Sequence, residues 1–273
     1  MSAAGPYLLS GIDLEEERLR IQAEAWESEV EIWLDQMGVQ PGWHCVDLGC
    51  GPMGILGPLS RRVERRGRVV GVENSPAQLE AARQYVYDNR LEGVEMVATS
   101  AFNPALECGA FDLTHARFMI SSLGHDEELL REMISLTRPG GIVAFQEPDA
   151  GSWNCYPLRP AFRQLVSAIQ DAYAESGGDF NAGRRTYGLM RRAGLLEVQA
   201  RAAVVASDET RHPFRSSVVH MANSLRKLIL EADILSQPEL DRCIAEVRQV
   251  LDDPNTFVLS YTTTQVWGKK PLL

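Results

Sequence analysis

Residues 46–54 read VDLGCGPMG. The stretch begins inside a short apolar run, HCVDLG at 44–49, and carries the spacing Gly49-x-Gly51-x-x-Gly54. Gly49 and Gly51 lack a Cβ, so the backbone there can turn sharply and approach a ligand closely. A strand before such a loop and a helix after it aim the first helical amides at that ligand. The spacing alone is a weak signal, and its context strengthens it. The next apolar run, RVVGVE at 68–73, ends on Glu73. A carboxylate at that place accepts two hydrogen bonds from a ribose diol. The unit therefore predicts a site for a nucleoside-bearing cofactor. The competing reading is a tight strand-to-helix turn beside a solvated glutamate.

Asp47 lies inside the first run, two residues before Gly49. A buried acid facing a pyrophosphate is unfavourable, because like charges repel strongly at low dielectric. It suits a ligand with a cationic or zwitterionic end, or serves to anchor the loop amides.

Three further apolar runs follow: VEMVAT at 94–99, FDLTHA at 111–116 and GIVAFQE at 141–147. Their spacing of roughly 20–30 residues is that of strand–helix–strand units. Each is apolar at consecutive positions, as parallel strands covered on both faces are. Residues 41–150 are thus predicted to form a doubly wound α/β core with a mostly parallel sheet. Ahead of it, residues 13–36 carry a helical pattern, with Asp13 able to cap the start and Gly38 and Pro41 ending it. Trp26 and Trp33 lie seven apart and share one helix face. That face predicts a lid in residues 1–40, or a seat for a second copy of the chain. Beyond 150 the pattern gives helices, a strand at 196–206, a long helical stretch at 210–252 and a β-branched run at 256–270. Residues 151–273 are expected to extend the sheet and to add helical cap insertions at about 151–193 and 207–252, within a single folding unit. Arg211, Arg215, Arg226 and Lys227 make this insertion basic. They are read as a solvated face ahead of a contact for an acidic substrate.

Composition sets the outer limits. The chain has 273 residues, 45% hydrophobic and 23% charged, with a net charge of −10. This is the balance of a globular protein and not of a disordered one. A pI near 5.1 argues against a broad nucleic-acid footprint. Nothing approaches the roughly 18 apolar residues of a spanning helix, so no membrane partner is expected. Cys45, Cys50, Cys108, Cys155 and Cys243 form no CxxC pair, which suits a reducing cytoplasm and predicts no metal site.

At these residues the chain resembles the class I S-adenosylmethionine-dependent methyltransferases, and its flanks resemble the bacterial small-molecule, natural-product group. Four blocks carry the likeness: VDLGCG at 46–51, VGVENSPAQLEAAR at 70–83, FDLTHARFMISSLGH at 111–125 and LTRPGGIVAFQEPD at 136–149. The resemblance implies a seven-stranded Rossmann-like sheet and S-adenosyl-L-methionine as cofactor. It places the methionine arm along Gly49, Cys50 and Gly51, with Asp47 steadying the loop. Glu73 would hold the ribose, Asn74 and Gln78 would flank the adenine, and Ser100, Ala101 and Phe102 would meet its edge. Many members have an Asp where Ser100 stands. Arg117 would lie near the cofactor carboxylate.

Methyl transfer needs position and desolvation more than a dedicated base. Candidate bases are His115, His125, Glu147 and Tyr7, with Asp149, Tyr156 and His220 further off. Phe118, Met119, Trp153, Tyr156 and His220 are expected to line an apolar, partly aromatic acceptor pocket. Ordinary core packing is the competing fate of such side chains. The leading expectation is methyl transfer to a small molecule, a secondary metabolite, at oxygen or carbon ahead of nitrogen. The alternatives are a cyclisation or rearrangement templated around a structural cofactor, a non-catalytic cofactor-binding subunit, and a dehydrogenase.

Overall fold

The computed structural model describes residues 15–207 and 213–272. A helix, α1 (Glu15–Met37), leads into the alternating part of the chain. There β1 (His44–Leu48), α2 (Leu56–Val63), β2 (Arg68–Glu73), α3 (Pro76–Asp88) and β3 (Val94–Ala98) follow in turn. Next come β4 (Phe111–Arg117), the short α4 (Met119–Leu123), α5 (Asp126–Leu136) and the long β5 (Thr137–Asp149). Then follow β6 (Asn154–Tyr156), α6 (Pro160–Glu175), α7 (Gly183–Arg192), β7 (Leu196–Ala203) and β8 (Ala206–Ser207). The last elements are α8 (Ser217–Ser224), α9 (Arg226–Glu231), α10 (Gln237–Asp252), β9 (Phe257–Leu259) and β10 (Thr262–Lys269).

Seven strands form one sheet in the order β3-β2-β1-β4-β5-β10-β7. The first five are parallel, and β10 runs antiparallel between β5 and β7. The five apolar runs are all strands, and the sheet is the expected doubly wound, mostly parallel one. Its order reverses between β1 and β4. Chains leaving those two strands diverge, and a crevice opens at their carboxyl ends. The central strands are buried at successive positions, whereas β3 and β7 are largely half-buried or exposed because each has a neighbour on one side only.

Two apolar layers sandwich the sheet. Val46, Leu48, Val70, Val72 and Phe145 pack towards α4, α5 and α7. Cys45, Val69, Leu113 and Ala144 pack towards α1 and α2, where Trp33, Leu34, Leu56 and Leu59 cover them. A third cluster is the cap, built from α6, α8, α9, α10 and Trp26. A small sheet, β6-β9-β8, borders it.

The aromatic face of α1 is taken up inside the chain. Trp26 and Trp33 are both fully buried within the chain. Trp26 meets Phe214 and Tyr261 in the cap, and Trp33 meets Trp267 and His115 on the sheet. Each ring buries roughly 200 Å², worth about 5 kcal/mol, so this face rivets cap to sheet and does not await a second copy. The basic insertion is likewise satisfied internally. Arg215 is buried and donates to the carbonyls of Leu251, Asp253 and Thr256, while Arg226 pairs with Asp241. Arg211 lies outside the described residues.

The run at 256–270 is not one strand. It leaves the small sheet after Leu259 and enters the large one at Thr262. Between them Ser260 is pinned twice: its N–H donates to Val205 O, and its Oγ accepts from Val205 N. The break presents Tyr261 to the crevice.

Candidate functional site

The crevice holds a cavity of about 720 Å³. One end is built by the loop after β1, the end of β2 and the turn after β3: Gly49, Cys50, Gly51, Glu73, Asn74, Gln78, Ser100, Ala101 and Phe102. The other end is a chamber of Phe118, Met119, Tyr173, Phe180, Met221 and Tyr261. Arg117 lines the cavity too, and α1 contributes Arg18, Leu19 and Gln22.

Asp47 is fully buried beneath the glycine loop and does not line the cavity. Its Oδ2 accepts the Ile55 N–H at 2.9 Å, and its Oδ1 lies 2.7 Å from His115 Nδ1. The Asp47 carboxylate thus ties the far side of the loop to β4. Gly54 makes the reach feasible: it has φ +51°, and a Cβ there would stand 2.1 Å from Asp47 Oδ2. At Gly49, φ is +65° and a Cβ would stand 2.1 Å from Met119 Sδ. The loop and α4 therefore meet closely where the cavity narrows.

Glu73 is oriented before any ligand arrives. Its Oε2 accepts the Gly51 N–H at 3.0 Å and its Oε1 accepts the Ser75 N–H at 2.8 Å. Burial pushes its carboxyl above the usual range, and these N–H groups oppose that. Each carboxylate oxygen keeps acceptor capacity for a diol in the cavity. At the turn after β3, the Ser100 hydroxyl is engaged by the Phe102 N–H at 3.2 Å.

Arg117 has no carboxylate or hydrogen-bond partner among the described residues, and its Cζ lies 5.8 Å from the Phe118 ring centroid. Burial pulls its pKa down, and Asp47 resists this. A cation so placed favours an anionic group in the cavity. Phe118 has φ +55°, in the left-handed region that a bulky side chain rarely adopts. This turn swings the chain from β4 into α4 across the mouth of the chamber.

Several expected residues lie elsewhere. His115 is fully buried between Asp47 and the Trp33 ring, so it cannot meet a substrate. Glu147 is also fully buried, and its two oxygens accept the N–H groups of Ile120 and Ser121 at 2.9 and 3.0 Å. It holds the start of α4 and is not a base in the cavity. Burial pushes its carboxyl up to about 7, against those two N–H bonds. His125 sits on the outer rim beside Glu128 and Phe102. Asp149 pairs with Arg184 and accepts the Gly151 N–H. Trp153 is stacked behind Phe180 at 5.4 Å and does not reach the cavity. Tyr156 is 71% exposed on the small sheet, and His220 is exposed on α8 while its neighbour Met221 faces the chamber. Tyr7 lies outside the described residues. Sequence reading missed Tyr173, Phe180, Met221, Tyr261, Arg18 and Gln22. Arg18 and Gln22 lie on the helix read as a lid or a seat for a second copy, and no motif marked the other four.

Comparison with known proteins agrees with this geometry. The family model described as a methyltransferase domain matches residues 40–194. A trans-aconitate 2-methyltransferase of Paracidovorax citrulli is 32% identical over 64% of this chain and 64% of its own length. The chain spans 44%, 64% and 38% of three curated relatives it matches. The Haemonchus contortus phosphoethanolamine N-methyltransferase 2, solved with phosphomonomethylethanolamine and S-adenosylhomocysteine, superposes with a TM-score of 0.59 at 16% identity, covering 97% of this chain and 59% of that one. The [4+2]-cyclase SpnF superposes with a TM-score of 0.57 at 14% identity, covering all of both chains. Among the described residues no group of His, Cys, Asp and Glu is arranged to hold a metal ion, and no helix is long and apolar enough to cross a membrane.

Proposed function

Since the chain belongs to the methyltransferase-domain family, we propose that it transfers a methyl group from S-adenosyl-L-methionine to a small-molecule acceptor held in the aromatic chamber. The observation that carries this reading is the Glu73 carboxylate, turned by two backbone N–H groups into a cavity that continues past the glycine loop to that chamber.

The residues fit such a cofactor. Glu73 takes the ribose hydroxyls, while Asn74, Gln78, Ser100, Ala101 and Phe102 surround the adenine. Gly49, Cys50 and Gly51 border the amino-acid arm, and Arg117, otherwise unpaired among the described residues, takes its carboxylate. When bound, the cofactor supplies a methyl group on a sulfonium sulfur. The chain's part is to align the acceptor and exclude water, and position alone is worth roughly 7–11 kcal/mol of barrier. Phe118, Met119, Phe180 and Met221 keep the chamber apolar, which favours a step in which charge is neutralised. Oxygen or carbon of a secondary metabolite is the favoured acceptor, with nitrogen behind them. The protein acts without metal or nucleic acid, in the cytoplasm.

One observation favours a second reading. Neither His115 nor Glu147 reaches the chamber, so neither of these two serves it as a base. A chamber of this kind also suits a templated cyclisation around a retained cofactor.

Calorimetric titration with S-adenosylmethionine and S-adenosylhomocysteine tests the proposal. Wild type binds both at micromolar concentration. Glu73→Ala loses two charge-assisted hydrogen bonds, so its affinity falls about 100-fold or more. Absence of binding by folded wild type overturns the reading. Product of unchanged mass, formed only with cofactor present, selects the cyclisation.

A further inference from the structure

The chamber contains a buried hydroxyl whose wiring defines what it can bind. Tyr261 is 1% exposed, and its Oη receives the Gln22 Nε2–H at 2.7 Å and the Trp26 Nε1–H at 3.4 Å. A phenol oxygen has two acceptor positions and one proton to give. Both neighbours are N–H donors, and neither donating nitrogen can accept. They occupy the two acceptor positions and leave the hydroxyl hydrogen without an acceptor among the described residues. Tyr261 and Gln22 both line the cavity, so that hydrogen is available there.

The ring cannot swing away. Trp153 and Phe180 pack on it at 5.3 Å, Trp26 and Phe214 at 5.6 Å, and Phe118 at 6.1 Å between centroids. The backbone is fixed as well, since the Ser260 Oγ donates to Tyr261 O at 2.7 Å. Burial keeps the phenol protonated by pushing its pKa up, with Gln22 and Trp26 opposing. The fixture is thus a rigid, buried donor in a largely aromatic box. A ligand amine or amide N–H placed there would set donor against donor.

We propose that Tyr261 is the specificity-determining anchor for the acceptor, which is an apolar compound carrying a carbonyl or carboxylate oxygen that accepts the Tyr261 hydroxyl hydrogen. This rests on the methyltransferase reading and adds the acceptor's chemical class to it. Gln22 and Trp26 act as positioning residues that turn the proton towards the cavity.

The test uses acetophenone and its oxygen-free isostere α-methylstyrene, titrated into the full chain saturated with S-adenosylhomocysteine and followed by ligand-observed NMR. Wild type binds acetophenone about five- to tenfold more tightly, the ratio of one buried hydrogen bond. Tyr261→Phe brings the ratio to about one, with S-adenosylhomocysteine affinity unchanged. Gln22→Glu keeps the phenol but gives its proton an acceptor inside the chain, so the ratio collapses there too. A ratio near one in wild type, including no binding of either probe, overturns the proposal. So does a fivefold preference surviving in either variant. Failure of wild type to bind S-adenosylhomocysteine is a separate result, and it removes the methyltransferase reading itself.

Discussion

Replacing Asp47 tests whether the glycine loop is held from below. In Asp47→Ala the Ile55 N–H loses its acceptor and His115 Nδ1 loses its partner, both in a fully buried place. His115 Nε2 is already unpartnered among the described residues, so the ring then has no hydrogen bond at all. Each orphaned group costs about 1–3 kcal/mol, which gives roughly 4 kcal/mol for the pair. For a chain near this size, each kcal/mol moves the midpoint by about 2–4 °C, so Asp47→Ala should melt about 10 °C lower. Asp47→Asn is milder. Its amide oxygen can keep the Ile55 bond and its amide nitrogen can donate to His115 Nδ1. The imidazole proton must then move to Nε2, where an unpartnered N–H replaces an unpartnered ring nitrogen, so the loss is that of charge assistance in two bonds, about 2 kcal/mol or about 5 °C. Differential scanning fluorimetry reads both shifts. A cycle with His115→Leu reads the pair: Asp47→Ala should cost about 2 kcal/mol less in that background, because the partner is gone. S-adenosylhomocysteine affinity should fall with the loop's order. If Asp47→Ala melts within 2 °C of wild type and binds S-adenosylhomocysteine equally well, the loop is not held by Asp47, and the reasoning fails.

Gly54→Ala puts a Cβ 2.1 Å from Asp47 Oδ2 at φ +51°, and it should lower stability by about 2 kcal/mol or more and weaken S-adenosylhomocysteine binding with it. Glu147 has a folded-state pKa raised from 4.5 to about 7, so the folded form holds the proton more tightly than the unfolded form. Its contribution to stability is complete below about pH 4.5 and is lost as pH rises to 7, an amount of about 3 kcal/mol. Glu147→Gln does not titrate. The midpoint of wild type minus that of Glu147→Gln should therefore fall between pH 4.5 and 7.5 in a thermal series, and a flat difference would exclude the raised pKa.

The sheet was legible because parallel strands buried on both faces write consecutive apolar residues into the chain. HCVDLG, RVVGVE and GIVAFQE do so, FDLTHA is placed by its spacing from them, and all four are strands. The nucleoside end of the cavity was legible for a related reason. The residues assigned to it lie within a few positions of strand ends, and the sheet order brings those ends together. Gly49, Glu73 and Phe102 needed no knowledge of the cap to be placed at one crevice.

Most of the chamber was not legible, and the cause is physical. Phe118 and Met119 directly follow β4, but the other residues come from α6, α8, the 178–182 turn and a strand break, and their meeting depends on packing across long stretches of sequence. His115 and Glu147 show the opposite error. Both stand at or beside strand ends, where ligands bind, yet depth within the strand and the alternation of its faces decide which side chains reach the crevice. His115 shares a face with Arg117 but lies two residues deeper in β4: Arg117 at the strand end lines the cavity, while the His115 ring lies against Asp47 and Trp33 beneath the loop. Glu147 faces the start of α4, and its neighbour Pro148 faces the cavity. Tyr261 is the sharpest case. Its β-branched neighbours at 262–264 read as a continuous strand, and nothing local marks the step between two sheets. The break is held from distant segments: Ser260 pairs with Val205, 55 residues earlier, and its carbonyl accepts the Ser152 hydroxyl. The cofactor end of the cavity is thus encoded in short motifs, and the acceptor end in long-range packing. Cap substitutions can therefore alter the acceptor while the glycine loop and Glu73 stay unchanged.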